Sequence, residues 1–301
     1  MTTVLEAYKY CDLCPRSCGV DRTLDGRGRC HAGAVPRVAH TMLHMWEEPC
    51  ISGTRGSGTV FFSGCSLGCV YCQNAEISGG YLGAEYDEEG LASLFLSIEA
   101  QGAHNINLVT AAHHAPHISK AIFIARERGL SVPVVYNTSG YESQKALALL
   151  SGRVDIYLTD FRYHNAKTAA RYSSAPDYPD VARRALDTMI KQVGAPQLGE
   201  DGLMQKCVIV RLLLLPGHLI EAKQILKEVY SAYGDSIYIS LMSQYTPRAG
   251  IGVRFPSLAR TVTPYEYASL VAYAQDLGVT NAFTQEGSSA TDSFIPPFLA
   301  K

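Results

Sequence analysis

The sequence is short of charge. Only 18% of its 301 residues are Asp, Glu, Lys or Arg, against ~25% in an ordinary soluble domain. The two signs nearly cancel, with 26 basic residues against 28 acidic ones. No basic surface is left over to neutralise phosphates, so no nucleic-acid partner is expected. Disorder is excluded too, because 47% of the residues are apolar, enough for a large core. Long hydrophobic runs are missing. Even the leucine run Leu212 to Leu215, which follows Arg211, is far below the ~20 residues of a membrane helix. Residues 1–10 hold no basic stretch leading into an apolar one, so no secretory signal is expected and the cytoplasm is the expected location. Repeats, low-complexity segments and interdomain linkers are absent as well.

Cysteine is present, but not at the density of a disulfide scaffold. Nine occur in 301 residues, well under the ~8–10% that marks such scaffolds. Their placement is uneven. Four lie between Cys11 and Cys30, three between Cys65 and Cys72, while Cys50 and Cys207 stand apart. An odd total in tight clusters points to metal ligation.

Residues 1–55 show no sustained hydrophobic period and are punctuated by Gly19, Gly26, Gly28, Gly33, Gly53, Pro15, Pro36 and Pro49, with Gly56 just beyond. They read as an irregular, Cys-rich extension that a bound metal would order. From residue 56 to 301 the pattern becomes short apolar runs alternating with helical stretches. Strands are expected near Thr59–Phe62, Ile106–Val109, Val132–Tyr136, Val154–Leu158, Cys207–Leu215 and Ile237–Leu241. Helices are expected at Asp87–Gln101, Pro116–Arg128, Glu142–Leu150, Asp180–Val193 and Ile220–Tyr233, and from Pro264 to Leu277 with Thr263 as N-cap. Six such units imply an α/β fold with a parallel sheet, read as a partial (β/α)6 TIM-like barrel working at the carboxyl ends of its strands. Local pattern alone also admits an open, doubly wound sheet.

The first expected strand runs into Phe61-Phe62-Ser63-Gly64-Cys65-Ser66-Leu67-Gly68-Cys69-Val70-Tyr71-Cys72-Gln73-Asn74, a C-x3-C-x2-C loop. Gly64 and Gly68 allow the turns that gather three thiolates around one inorganic core. Iron–sulfur cubanes normally take four thiolates, so three leave one iron open to a ligand. Tyr71, between the second and third cysteines, is placed to shield such a cluster from water.

This loop, with an aromatic residue before its last cysteine, resembles the signature of the radical S-adenosylmethionine superfamily. The likeness spans roughly residues 58–286. It is closer still to the branch related to pyruvate formate-lyase activating enzymes, through Cys11–Gly19, Glu47–Gly53, Cys65–Asn74, Ser139–Tyr141, Tyr157–Phe161 and Ser243–Pro247. The resemblance implies a [4Fe-4S] cluster at Cys65, Cys69 and Cys72, chelated at its open iron by S-adenosylmethionine. Reductive cleavage would give a 5′-deoxyadenosyl radical that abstracts hydrogen from a substrate. Asp160 and Arg162 stand at an Asp-x-Lys pattern, with arginine in place of the lysine, whose acid meets the ribose and whose cation meets the methionyl carboxylate; arginine keeps the charge but not the geometry. Asn137 resembles a ribose contact. The family's Gly-Gly-Glu motif after the second strand is missing; Thr110 stands there, and either Thr110 or a carbonyl of that loop is expected to take over the contact to the amino group. A flavodoxin or ferredoxin is implied as electron donor. The substrate is either a glycyl radical protein or a small molecule or peptide. A non-catalytic iron–sulfur carrier is the third reading.

Cys11, Cys14, Cys18 and Cys30 suit a second [4Fe-4S] cluster, a single Zn²⁺ or iron, or free thiols, with Cys50 as a substitute ligand. Cys207 reads as a core residue. His113, His114 and His117 are expected to be polar or acid–base groups of the active face, a metal site, or structural residues. Further candidates at strand ends are Tyr141, Arg211, His218, Gln244, Tyr245, Gln285 and Glu286, of which Tyr245 and Glu286 are the expected substrate contacts.

Overall fold

In the computed structural model, which describes residues 4–285, seven strands lie parallel, side by side and in chain order. They are β2 (Ser57–Phe62), β4 (Ile106–Val109), β5 (Val134–Thr138), β6 (Ile156–Asp160), β8 (Met204–Leu213), β9 (Tyr238–Met242) and β10 (Ala282–Thr284). Three others pair antiparallel. β1 (Arg37–His44) lies against β2, β3 (Ala84–Glu85) against β1, and β7 (Gln197–Leu198) against β8. The protein is therefore α/β with a largely parallel central sheet. β2 and β4 are buried at every residue, as expected of strands covered on both faces.

Chain order across the parallel strands runs in one direction without reversal. A doubly wound sheet needs a point where that order reverses, so the open doubly wound alternative is not the arrangement seen. The expected helices are present within a few residues of their predicted bounds, at Glu88–Ala100, Ala115–Glu127, Gln144–Leu150, Tyr178–Val193, Leu219–Tyr233 and Pro264–Asp276. Thr263 caps the last, in a reciprocal box with Glu266.

Several elements were not expected, and three of them show why. Residues 37–44 are a strand, although they sit in the stretch read as irregular; β1 has only one buried residue and therefore no hydrophobic period to betray it. β10 is three residues long and part-exposed, too short for its pattern to register. The helix Ala166–Ser173 is polar enough to have passed for a loop. Among the described residues no helix is long and apolar enough to cross a membrane.

Candidate functional site

β2 leaves the sheet at Phe62 and turns through Gly64, whose φ of +91° favours glycine. A Cβ at Gly64 would stand 2.6 Å from the Cys30 carbonyl, and the next amide, Cys65 N–H, donates to that carbonyl at 3.2 Å. The N-terminal segment is thus stitched to the three-cysteine loop backbone to backbone. Cys65, Cys69 and Cys72 all line one cavity of about 220 Å³. Burial pushes the Cys65 thiol up to about 11 and raises that of Cys72. Such thiols need a cationic centre to be held as thiolates. Cys69 Sγ accepts from Ser173 Oγ at 3.0 Å and from Arg162 Nη1 at 3.7 Å, a donor set that suits an anionic sulfur. Tyr71 is buried in the same wall, edge-on to Tyr163, Tyr172 and Tyr245 with ring centroids 6.2–6.5 Å apart.

The remaining walls come from the carboxyl ends of β4, β5 and β6. Thr110, just past β4, has φ +61°. A β-branched residue rarely adopts that conformation, and its amide is held by Asn137 O at 2.9 Å. Asn137 from β5, Asp160 at the end of β6 and Arg162 beyond it complete the ring. Asp160 pairs with Arg162, their side chains 19% and 23% exposed, so the pair faces the cavity and is not a solvated strand-end pair. Arg162 Nε, itself buried, has no hydrogen-bond partner among the described residues.

Two features of this site escaped sequence reasoning. Arg16, between Cys14 and Cys18, reaches out of the N-terminal segment and donates to four carbonyls: Ser66 at 3.0 Å, Leu67 at 3.3 Å, Ser173 at 2.8 Å and Ser174 at 2.5 Å. It clasps the three-cysteine loop to the end of the helix that holds Ser173. The second feature is the cavity floor. Glu47 and Glu48, ahead of a short helix at Pro49–Ser52, insert beneath the loop and pair with Arg211 of β8. Arg211 Nε and Nη2 donate to Glu48 at 2.8 and 2.6 Å, and Nη2 also to Glu47. Glu47 Oε1 accepts from Asn107 at 2.9 Å and Asn137 at 3.4 Å. The segment Glu47–Gly53 had been singled out, but no local pattern says that its carboxylates reach across the sheet.

Of the N-terminal quartet, Cys11, Cys14 and Cys30 are buried and Cys18 is exposed. Burial pushes the Cys14 thiol up to about 12, and the charges of Cys30, Cys11 and Cys18 add to that, which places the four near one another. Arg22, fully buried, donates to Cys11 Sγ at 3.6 Å and to the carbonyls of Ala32, Gly33 and His113. Among the described residues, no group of three or more His, Cys, Asp and Glu side chains is arranged to hold a metal ion. Cys50 does not join the quartet; it packs with Ile156, Met204 and Cys207 on a separate apolar patch, where Cys207 is the core residue expected.

His113, His114 and His117 are buried and none lines the cavity, so the active-face reading of these residues is corrected: they are core histidines. His113 Nε2 meets Ser63 O at 2.8 Å, and His117 faces Glu88 at 3.2 Å. Arg211, Gln244 and Tyr245 do line the cavity, while Tyr141, His218 and Gln285 do not. Tyr245 presents its ring there, its hydroxyl donating to Leu258 O at 2.6 Å. Tyr141 donates to Asp177 at 2.9 Å, His218 lies 3.0 Å from the Tyr172 hydroxyl, and Gln285 Oε1 accepts from Ser243 N–H. Glu286 lies outside the described residues.

Set against models of known protein families, the chain matches none. It is similar to an uncharacterized protein of Methanocaldococcus jannaschii, 28% identical over 275 residues, which cover 89% of this chain and 75% of the relative. That relative's name states no activity.

Proposed function

We propose that this chain is a radical S-adenosylmethionine enzyme whose parallel strands curl into a partial (β/α)6 TIM-like barrel. The observation that carries the reading is one of convergence. Cys65, Cys69 and Cys72, in the loop after β2, share a cavity with Thr110, Asn137, Asp160 and Arg162 from the same ends of the next three strands. The parallel strands β2, β4, β5 and β6 end side by side and bring these residues to one face of the sheet. Strands in unreversed chain order with right-handed crossovers send every helix to one face, and that favours curling around the other.

The donor set fits a cluster. The irons and sulfides of a cubane lie between its thiolates and hold them further apart than a single ion would, so three thiols around a shared cavity suit it without single-ion geometry. With S-adenosylmethionine bound, such a cluster supplies the electron that cleaves the carbon–sulfur bond, giving methionine and a 5′-deoxyadenosyl radical that takes hydrogen from the substrate. The chain's own residues bind and orient. Arg162, whose Nη2 meets Asp160 while its Nε is unpartnered among the described residues, suits a carboxylate; Asp160 and Asn137 suit ribose hydroxyls; Tyr71 and its three tyrosine neighbours keep water from the sulfur atoms. Ser173 and Arg162 direct hydrogen-bond donors at the Cys69 sulfur. The quartet Cys11, Cys14, Cys18 and Cys30 would take a second cluster or Zn²⁺, and a flavodoxin or ferredoxin would deliver the electron.

The test is anaerobic reconstitution with iron and sulfide, followed by S-adenosylmethionine and dithionite. The wild-type protein should form 5′-deoxyadenosine and Cys69→Ala should not. A wild-type protein that carries iron and sulfide yet forms none, or a Cys69→Ala variant that still does, refutes the reading.

A further inference from the structure

The charges closed into the cavity floor do not balance. The side chains of Glu47, Glu48 and Arg211 are 7%, 4% and 11% exposed, and one guanidinium serves two carboxylates. Glu48 takes the paired contact to Nε and Nη2, which leaves Glu47 as the carboxylate in excess. Among the described lining residues no further cation compensates. Arg162 is matched by Asp160, no lysine is among them, and His44 is held toward its neutral form by burial. Asn107 and Asn137 solvate Glu47 without neutralising it. Two buried carboxylates sharing one guanidinium leave a net negative charge, which is unfavourable in a closed site.

A spare acceptor lies beside it. The Asn107 carboxamide, whose Nδ2 donates to Glu47, keeps a buried Oδ1 with no hydrogen-bond partner among the described residues. Excess negative charge with an unfilled acceptor complements a primary ammonium, which carries three N–H donors and no acceptor.

We propose that Glu47, at the floor of the cavity, binds the primary ammonium group of a ligand. The ammonium site stands on the charge count; its role as a substrate site rests on the function proposed above. The ammonium has two possible sources, an amine-bearing substrate or the amino end of S-adenosylmethionine, and the experiment separates them.

Propylammonium, propionate and 1-propanol are titrated into the full-length protein, purified without oxygen, and binding is followed by ligand-observed NMR. Propylammonium should bind saturably with a roughly millimolar Kd, as suits so small a ligand, and the other two should not. Glu47→Gln should weaken it roughly tenfold or more, the usual scale of a lost charged hydrogen bond. Glu47→Asp, which keeps the charge, checks that any loss reflects charge and not folding; it should bind more tightly than Glu47→Gln. Competition by S-adenosylmethionine assigns the site to its amino end, and simultaneous binding assigns it to a substrate. Equal binding of 1-propanol, or unchanged binding in Glu47→Gln, overturns the proposal. Failure to form 5′-deoxyadenosine would sink the enzymatic reading while leaving this binding result intact.

Discussion

Glu142 should make the protein lose stability as pH rises through neutrality. Its side chain turns inward just before the helix Gln144–Leu150 and is almost fully buried. Oε1 accepts from Thr138 Oγ1, while Oε2 has no partner among the described residues. Burial, only partly offset by the Thr138 hydrogen bond, pushes the carboxyl up from 4.5 to about 7. Between those values the folded chain keeps a proton that the unfolded chain has released. The unfolded state then binds fewer protons, so stability falls with pH. Each pH step in the window costs about 1.4 kcal/mol, and the loss between pH 5 and 8 comes to about 2.5 kcal/mol. Glu142→Gln keeps an acceptor for Thr138 and removes the titration. Urea midpoints for both proteins at pH 5, 6, 7 and 8 isolate the effect, because every other titrating group is common to the two. The variant should gain about 2–3 kcal/mol on the wild type between pH 5 and 8. A gap that stays constant with pH would refute the argument.

Two further substitutions probe how the site is held. Arg16→Ala removes a guanidinium from four carbonyls, three of them on the buried residues Ser66, Leu67 and Ser173. It should cost about 3 kcal/mol, lower Tm by roughly 5 °C, and be only partly rescued by Arg16→Lys, whose ammonium cannot fork. A melting curve unchanged by Arg16→Ala would show that the clasp carries no stability. Glu266 accepts from Arg260, from the Gly217 amide at 2.7 Å and from the Thr263 amide at 2.8 Å, and these contacts, Arg260 foremost, hold its carboxyl well below the usual range. Its stabilising effect should be complete above about pH 4.5 and fade in acid. Glu266→Ala should therefore destabilise by about 2 kcal/mol at pH 7 and by less at pH 3, as measured by urea unfolding.

Much of the α/β architecture is legible in local pattern. β4 is buried at every residue and reads as a short apolar run interrupted only by Asn107, and Thr263-Pro264 announces a helix start that the capping box then provides. Period and capping are properties of neighbouring residues, so one dimension carries them. The same holds for the three-cysteine loop, whose spacing is itself the signal. β1 was invisible for the complementary reason: its register against β2, not any alternation of its own, makes it a strand.

What local pattern could not decide is who meets whom. Glu47 and Arg211 are 164 residues apart, as are the partners Arg16 and Ser173 at 157, and nothing near either pair in the chain foretells the contact. The three histidines show the reverse case, a cluster that looks chemical in one dimension and is core in three. By itself the sequence determined the alternation of strand and helix and the thiol loop at a strand's end. Only the tertiary structure decided that one sheet, in unreversed order, brings that loop and the Glu47–Arg211 pair to a single cavity and that Arg16 clasps the loop in place. Ligand geometry and charge balance depend on distances between side chains, and those distances exist only once the chain has closed on itself.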